Sequence, residues 1–401
     1  MTGRALNFAS FTLDLDRLCL NGPSGQVHLR PKSFEVLRYL LEHDSRVVSK
    51  DEIMGAVWPD VNVTEESLTH CISEVRHALG HESQSIVRTI PKRGYMLDVH
   101  VSASANHTEA LESIAQSEFA SSIRPKQEIK YCRSSDGVRL AYAIAGNGQP
   151  LVKTGNWLNH LEFDWESPVW SHLLRRLAQH YTLIRYDARG NGLSDWDVDH
   201  LSLSAWVSDL ETVVAAAGLE RFPLLGISQG CAVSVAYAVK HPERVSHLIL
   251  YGGYVRGAKR RTAEEVEKRN AMVTLARLEW GSDNSAFRQL FTANFIPDAT
   301  PEQAGFFNEL QRQTTSPACA ARYLDNTGEI DISNLLSQVA APTLVMHVRG
   351  DLMVPVDQSK ALAAGIPGAR LVTFPGQNHF FLEHEPASDG FVDELSQFLN
   401  G

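Results

Sequence analysis

A serine held between two glycines, Gly226-Ile227-Ser228-Gln229-Gly230, is the stretch of this 401-residue chain with the most definite chemistry. The apolar run Phe222–Leu225 precedes it, and Cys231–Ala238 follows with the pattern of a buried helix. Strand, sharp turn and helix together lift a serine onto an exposed elbow. The flanking glycines let neighbouring backbone approach where a Cβ would collide. A hydroxyl is a weak nucleophile, so it needs a base to take its proton and an acid to orient that base. Asp351 is the candidate acid: it ends Arg349-Gly350-Asp351, directly after the apolar strand pattern Thr343–Val348. His379 is the candidate base, reached from Leu371–Phe374 across Pro375-Gly376-Gln377-Asn378. Asp357 is a nearby rival acid. His384, within Glu383-His384-Glu385, reads as solvent-facing, and His347 inside its strand reads as a core histidine.

The elements that must position these groups alternate from Ile129 onwards. Strand patterns at 138–145, 151–154, 182–186, 222–225, 245–250, 342–348 and 371–374 are mostly separated by helical segments. Such alternation predicts an α/β doubly wound sheet with helices on both faces. On these motifs the region 127–401 resembles the α/β-hydrolase family. The match includes the turn Asp187-Ala188-Arg189-Gly190-Asn191-Gly192-Leu193-Ser194 and the chain order Ser228, Asp351, His379. The resemblance implies an oxyanion hole of backbone N–H groups. One donor would be Gln229; the other would come from Asn156 or Trp157, in the loop after Leu151–Thr154. The family usually has His-Gly there, and this chain has Thr154-Gly155. It also implies that the insertion at about 253–338 is a helical cap over Ser228. Tyr254, Met272, Leu275, Trp280, Phe287, Phe291, Phe295, Phe306, Phe307 and Tyr323 load that insertion with apolar and aromatic groups, as a pocket for a lipophilic ester or lactone requires.

Composition sets the frame. Hydrophobic residues at 43% and charged residues at 21% describe a soluble globular chain long enough for two domains. No apolar run approaches the ~18–20 residues of a membrane span, and Met1–Phe8 lacks the regions of a signal peptide. The expectation is a cytoplasmic protein without membrane contact. Five scattered cysteines with no C-x-x-C pair read as free thiols, so no metal and no cofactor is expected. The net charge is −10, and residues 1–100, with 11 basic and 13 acidic side chains, are close to neutral. Nucleic-acid binding would therefore rest on a local patch.

That first hundred residues nonetheless has a definite order. An alternating pattern from Phe8 to about Gly25 includes Asn21-Gly22 as a hairpin turn. A helix follows from Pro31, then a short one capped by Ser49 with Glu52 completing a capping box. A third begins near Thr64, carries Leu68, Ile72, Val75 and Leu79, and stops at Gly80. A hairpin then runs 86–90 and 95–99 around Pro91-Lys92-Arg93-Gly94. This α+β order resembles the winged-helix output domain of the OmpR/PhoB class. The carrying residues are Leu29–Leu37, Arg46–Ser49, Val57-Trp58, Leu68–Arg76, Ala78–Gly80 and Arg93–Tyr95. The resemblance implies double-stranded DNA as partner, with the third helix in the major groove and the hairpin as wing. By position it assigns His70, Ser73, Glu74 and His77 to the groove, Arg76 to a phosphate, and Lys92 and Arg93 to the wing. Glu74 departs from the basic residue often found there.

The expected organisation is a winged helix at 1–103, a linker at 104–126 with a short amphipathic segment at Leu111, Ile114 and Phe119, and the hydrolase-like domain at 127–401. The expected function is a homodimeric DNA-binding regulator whose second domain senses, and hydrolyses, a small ester or lactone. An active esterase with an auxiliary DNA-binding domain, and a catalytically silent sensor, are the alternatives.

Overall fold

The computed structural model describes residues 5–9, 11–15, 19–22, 25–27, 29–43, 46–58, 65–80, 86–90, 93–97, 101–103, 126–282 and 286–400. The chain divides into two compact units, Met1–Ser122 and Ile123–Gly401. The linker reading, with Leu111, Ile114 and Phe119, lies outside the described residues.

In the first unit, β1 (Ala5–Phe8), β2 (Phe11–Asp14), β3 (Cys19–Gly22) and β4 (Gly25–Val27) form an antiparallel meander. The alternation along β2 turns Phe11 and Leu13 inward. Asn21 and Gly22 are not the turn expected of them. They end β3, paired with Gln26 and Gly25 of β4. Three helices follow: α1 (Pro31–Glu42), α2 (Lys50–Val57) and α3 (Glu65–Leu79). Pro31 occupies the first turn of α1, where its missing N–H costs nothing. Ser49 caps α2 by accepting from the Glu52 amide at 3.1 Å. The reciprocal half of the capping box is not made, because the Glu52 carboxylate is taken by Arg46 and Tyr39. β5 (Val47–Val48), β6 (Val87–Ile90) and β7 (Gly94–Leu97) form a second sheet in the order β5-β7-β6, and β8 (Val101–Ala103) returns to pair with β1. One core joins them: Leu68, Ile72, Val75 and Leu79 of α3 pack with Phe34, Leu37, Leu40, Ile53, Val87 and Leu97.

The second unit is built on β9 (Gln127–Arg133), β10 (Arg139–Ala145), β11 (Gln149–Lys153), β12 (Tyr181–Tyr186), β13 (Phe222–Ile227), β14 (Val245–Tyr251), β15 (Thr343–Val348) and β16 (Arg370–Phe374). Their order is β16-β15-β14-β13-β11-β12-β10-β9, parallel from β12 to β16 and antiparallel at β9 and β10. Strand side chains alternate between two buried faces. Leu151, Leu183, Leu225, Ile249 and Leu344 enter one core; Val152, Ile184, Leu224, Leu248 and Val345 enter the other. A sheet buried on both faces needs such near-continuous apolar strands. The covering helices are α4 (Leu161–Glu166), α5 (Ser171–His180), α6 (Leu203–Ala216) and α7 (Gly230–Lys240). Between β14 and β15 the chain leaves the sheet for α8 (Ala263–Glu279), α9 (Ala286–Phe295), α10 (Pro301–Thr314) and α11 (Pro317–Gly328), then returns for α12 (Val356–Gly365) and α13 (Pro386–Asn400). Thr262 and Thr300 start α8 and α10 with complete capping boxes. No helix among the described residues is long and apolar enough to cross a membrane.

Candidate functional site

Ser228 stands one residue beyond β13, at φ 53°, and Gln229 leads directly into α7. Its amide donates to the Tyr251 carbonyl at 2.8 Å and its carbonyl accepts from Cys231 at 3.0 Å, which fixes the turn from both sides. A left-handed serine costs about 1–2 kcal/mol, so the surrounding structure must impose it. Tight packing does so: a Cβ on Gly226 would lie 2.8 Å from the Cα of Cys231.

His379 sits past β16, fully buried. Its Nδ1 lies 2.6 Å from Asp351 Oδ2, just past β15. Asp351 Oδ1 accepts from the amides of Met353 at 2.8 Å and Val354 at 3.0 Å. Burial alone would raise the Asp351 carboxyl, but the His379 imidazole, the Val354 amide and His347 outweigh it and hold the group below the usual carboxylate range. An ionised Asp351 puts the imidazole proton on Nδ1. The lone pair is then on Nε2, which is buried and has no hydrogen-bond partner among the described residues. His379 is further held by Tyr251, whose hydroxyl donates to the His379 carbonyl at 2.8 Å. Its amide donates to Phe295 of α9 at 2.7 Å, and Asn378 beside it accepts from the Asp298 amide at 3.0 Å.

The rival groups lie elsewhere. Asp357 pairs with Lys360 at the surface, and His384 is exposed. His347 is a core histidine, bonded to Ser359 and Val354, yet its Nε2 is 3.5 Å from Asp351 Oδ2. Gln229 is buried at the start of α7, and its side-chain oxygen has no partner. The loop with Asn156 and Trp157 reaches the same place: a Cβ on Gly230 would lie 3.5 Å from Gly155 O and 3.6 Å from Asn156 Cβ. Thr154, at the position of the usual histidine, bonds through its hydroxyl to Ser234 at 2.7 Å.

Three charged groups beside this loop escaped sequence reasoning. Lys153, Asp164 and Arg185 are buried, together with Asp187 of the turn read from the sequence. Burial pulls the Lys153 ammonium down to about 8 despite Asp164 and Asp187, and burial pushes the Asp164 carboxyl up to about 6. Asp187 is satisfied by Asn159 and the amides of Leu161 and Leu193. The available signal was a lysine ending an otherwise apolar strand. Above the loop, Trp157 stacks on Trp280 at 5.4 Å and meets Phe291 edge-on at 5.4 Å, while Phe295 and Phe380 contact the His379 ring. Leu275, expected in the apolar lining, is instead exposed on α8.

In the first unit, Ser73 and His77 are exposed on α3, and Arg93 is exposed at the β6–β7 turn. The backbone of His70 belongs to α3; its side chain, and Lys92, lie outside the described residues. Glu74 is engaged inside the domain: Oε1 accepts from the Arg30 amide and Oε2 from the Ser33 hydroxyl, both at 3.0 Å. Arg76 donates to the Val87 carbonyl at 2.8 Å and to Thr89 Oγ1 at 2.7 Å, tying α3 to β6. Both side chains, expected at DNA, thus have partners within their own unit.

Comparison with known proteins matches residues 157–386 to a family described as alpha/beta hydrolase fold, and residues 24–97 to one described as transcriptional regulatory protein, C terminal. The pyrrolizixenacetamide deacetylase of Xenorhabdus hominickii is 25% identical over 271 residues, covering 65% of this chain and 94% of that protein. The pimeloyl-[acyl-carrier protein] methyl ester esterase of Nitrosomonas europaea is 27% identical over 254 residues, covering 58% and 90%. Among solved structures, the enol-lactonase from Burkholderia xenovorans LB400 shares the fold with TM-score 0.57 at 21% identity, covering 68% of this chain and 100% of that one.

Proposed function

From a chain that belongs to the alpha/beta hydrolase fold family and carries a DNA-binding regulator domain in front, we propose a transcriptional regulator whose hydrolase unit binds a small lipophilic ester or lactone and cleaves it at Ser228. The observation that carries this reading is the buried, unpartnered Nε2 of His379, oriented by Asp351 at 2.6 Å, in the unit that bears the left-handed Ser228. The Ser228 hydroxyl attacks the acyl carbon as His379 Nε2 takes its proton. Negative charge on the carbonyl oxygen meets the amides of Gln229 and of Asn156 or Trp157. His379 then protonates the leaving alcohol, and water, activated by the same nitrogen, releases the acid. The aromatic cluster around Trp157 and Trp280 supports a lipophilic substrate. So do relatives named as a deacetylase and a methyl ester esterase.

For the regulator role we assign Ser73, His77 and Arg93 to DNA, with His70 and Lys92 completing the face. Glu74 and Arg76 serve to set the angle of α3. Two copies would read two half-sites, which fits a cytoplasmic homodimer. The test follows hydrolysis of p-nitrophenyl butyrate and binding to the gene's own upstream DNA, for wild type and Ser228→Ala. Wild type should do both, and the variant should lose hydrolysis alone. Hydrolysis persisting in Ser228→Ala would overturn the catalytic assignment; no binding to upstream DNA would overturn the regulatory one.

A further inference from the structure

We propose that Lys153 is a positioning residue for the oxyanion hole, acting through the Asn156 carboxamide to hold the Asn156–Trp157 peptide beside Gly230; the proposal rests on the hydrolytic reading of Ser228. Lys153 ends β11, the strand hydrogen-bonded beside β13, and is 6% exposed. A buried ammonium is costly unless it has a partner. Among the described residues its hydrogen bond goes to Asn156 Oδ1, at 2.6 Å. Asn156 in turn donates from Nδ2 to the Trp157 carbonyl at 2.9 Å. The carboxamide is therefore fixed at both ends. Flipped, it would point its N–H groups at an ammonium that can only donate.

The second bond closes a ring, and that ring contains the Asn156–Trp157 peptide. Closing it holds the Asn156–Trp157 peptide, and the loop amides on either side of it, to one orientation. Leu158 immediately afterwards is 1% exposed at φ 61°. A left-handed leucine persists only where its neighbours over-determine it. The clamp also lies in the right place: Gly155 O and Asn156 Cβ lie against Gly230, next to the other candidate donor. An apolar side chain would fill the Lys153 position without any of these bonds. Misaiming a donor by about 1 Å costs on the order of 100-fold in rate.

The experiment uses the full chain with p-nitrophenyl butyrate and an alkyl trifluoromethyl ketone, which adds to a serine as a tetrahedral oxyanion. Lys153→Met removes the first link. Asn156→Asp keeps a partner for Lys153 but cannot donate to Trp157. Both should lower kcat about 10- to 100-fold with KM within threefold, and both should weaken the ketone in parallel with kcat. Lys153→Arg should recover kcat to within about fivefold of wild type, since it restores a cationic donor. A variant with native near-UV circular dichroism and kcat within twofold of wild type overturns the proposal. Should Lys153→Met fail to fold, Asn156→Asp decides alone. Unfolding of both assigns the pair to core stability and also overturns it. Hydrolysis that survives Ser228→Ala overturns the underlying reading instead; loss in Ser228→Ala with an unaffected Lys153→Met overturns only the positioning role.

Discussion

Ser228 holds its backbone at φ 53°, a conformation that glycine adopts without penalty. Ser228→Gly should therefore raise stability by about 1 kcal/mol while abolishing ester hydrolysis. Urea unfolding checks the first outcome, and an unchanged or lower midpoint would remove strain from the account. Ser228→Ala, with the same backbone demand, should leave stability near wild type and lower kcat about 10⁴-fold or more. Asp351 makes a second prediction. A carboxyl held lower in the fold than in the unfolded chain adds stability above the ordinary aspartate value near pH ~4, and that stability is lost as pH falls through the folded value. Asp351→Asn should flatten the acid limb of a stability-against-pH curve below about pH 4. An acid limb as steep as wild type would assign the acid sensitivity to other groups.

At the scale of elements, a glycine after β14 packs against His379. Gly252 has φ 61°, and a Cβ there would lie 3.1 Å from His379 Cε1. Gly218 has a similar φ of 68° with nothing within 4 Å. Alanine at either should cost about 1–2 kcal/mol through the backbone. Only Gly252→Ala should also lower kcat, by pressing on the imidazole. Equal activity in the two variants would show that this contact is without consequence. The same scale explains what could be read in advance. Ser228 and Asp351 each follow a buried apolar strand and His379 follows the edge strand β16; parallel strands collect their C-terminal loops at one edge, so their neighbourhood was legible. The Lys153 clamp was not, because it depends on a carboxamide three residues on turning back to the strand. The internal partners of Glu74 and Arg76 went unread for a related reason. Helical periodicity sets the two residues outward on α3, but their partners Arg30, Ser33, Val87 and Thr89 are distant in sequence and leave no local signal.

For the whole molecule, a net charge of −10 leaves DNA binding to a few local cations. With Arg76 tied to β6, the exposed described cations of the wing are Arg88 on β6 and Arg93 at the turn. Arg93→Ala should weaken binding to all sequences alike and reduce the slope of log K against log salt by about 1. A loss confined to one operator sequence would make Arg93 a base reader. The bonds from His379 to Phe295 and from Asp298 to Asn378 carry a mechanical consequence. The loop bearing His379 is fastened to the end of α9, so any displacement of that helix that kept these bonds would draw the imidazole away from Asp351.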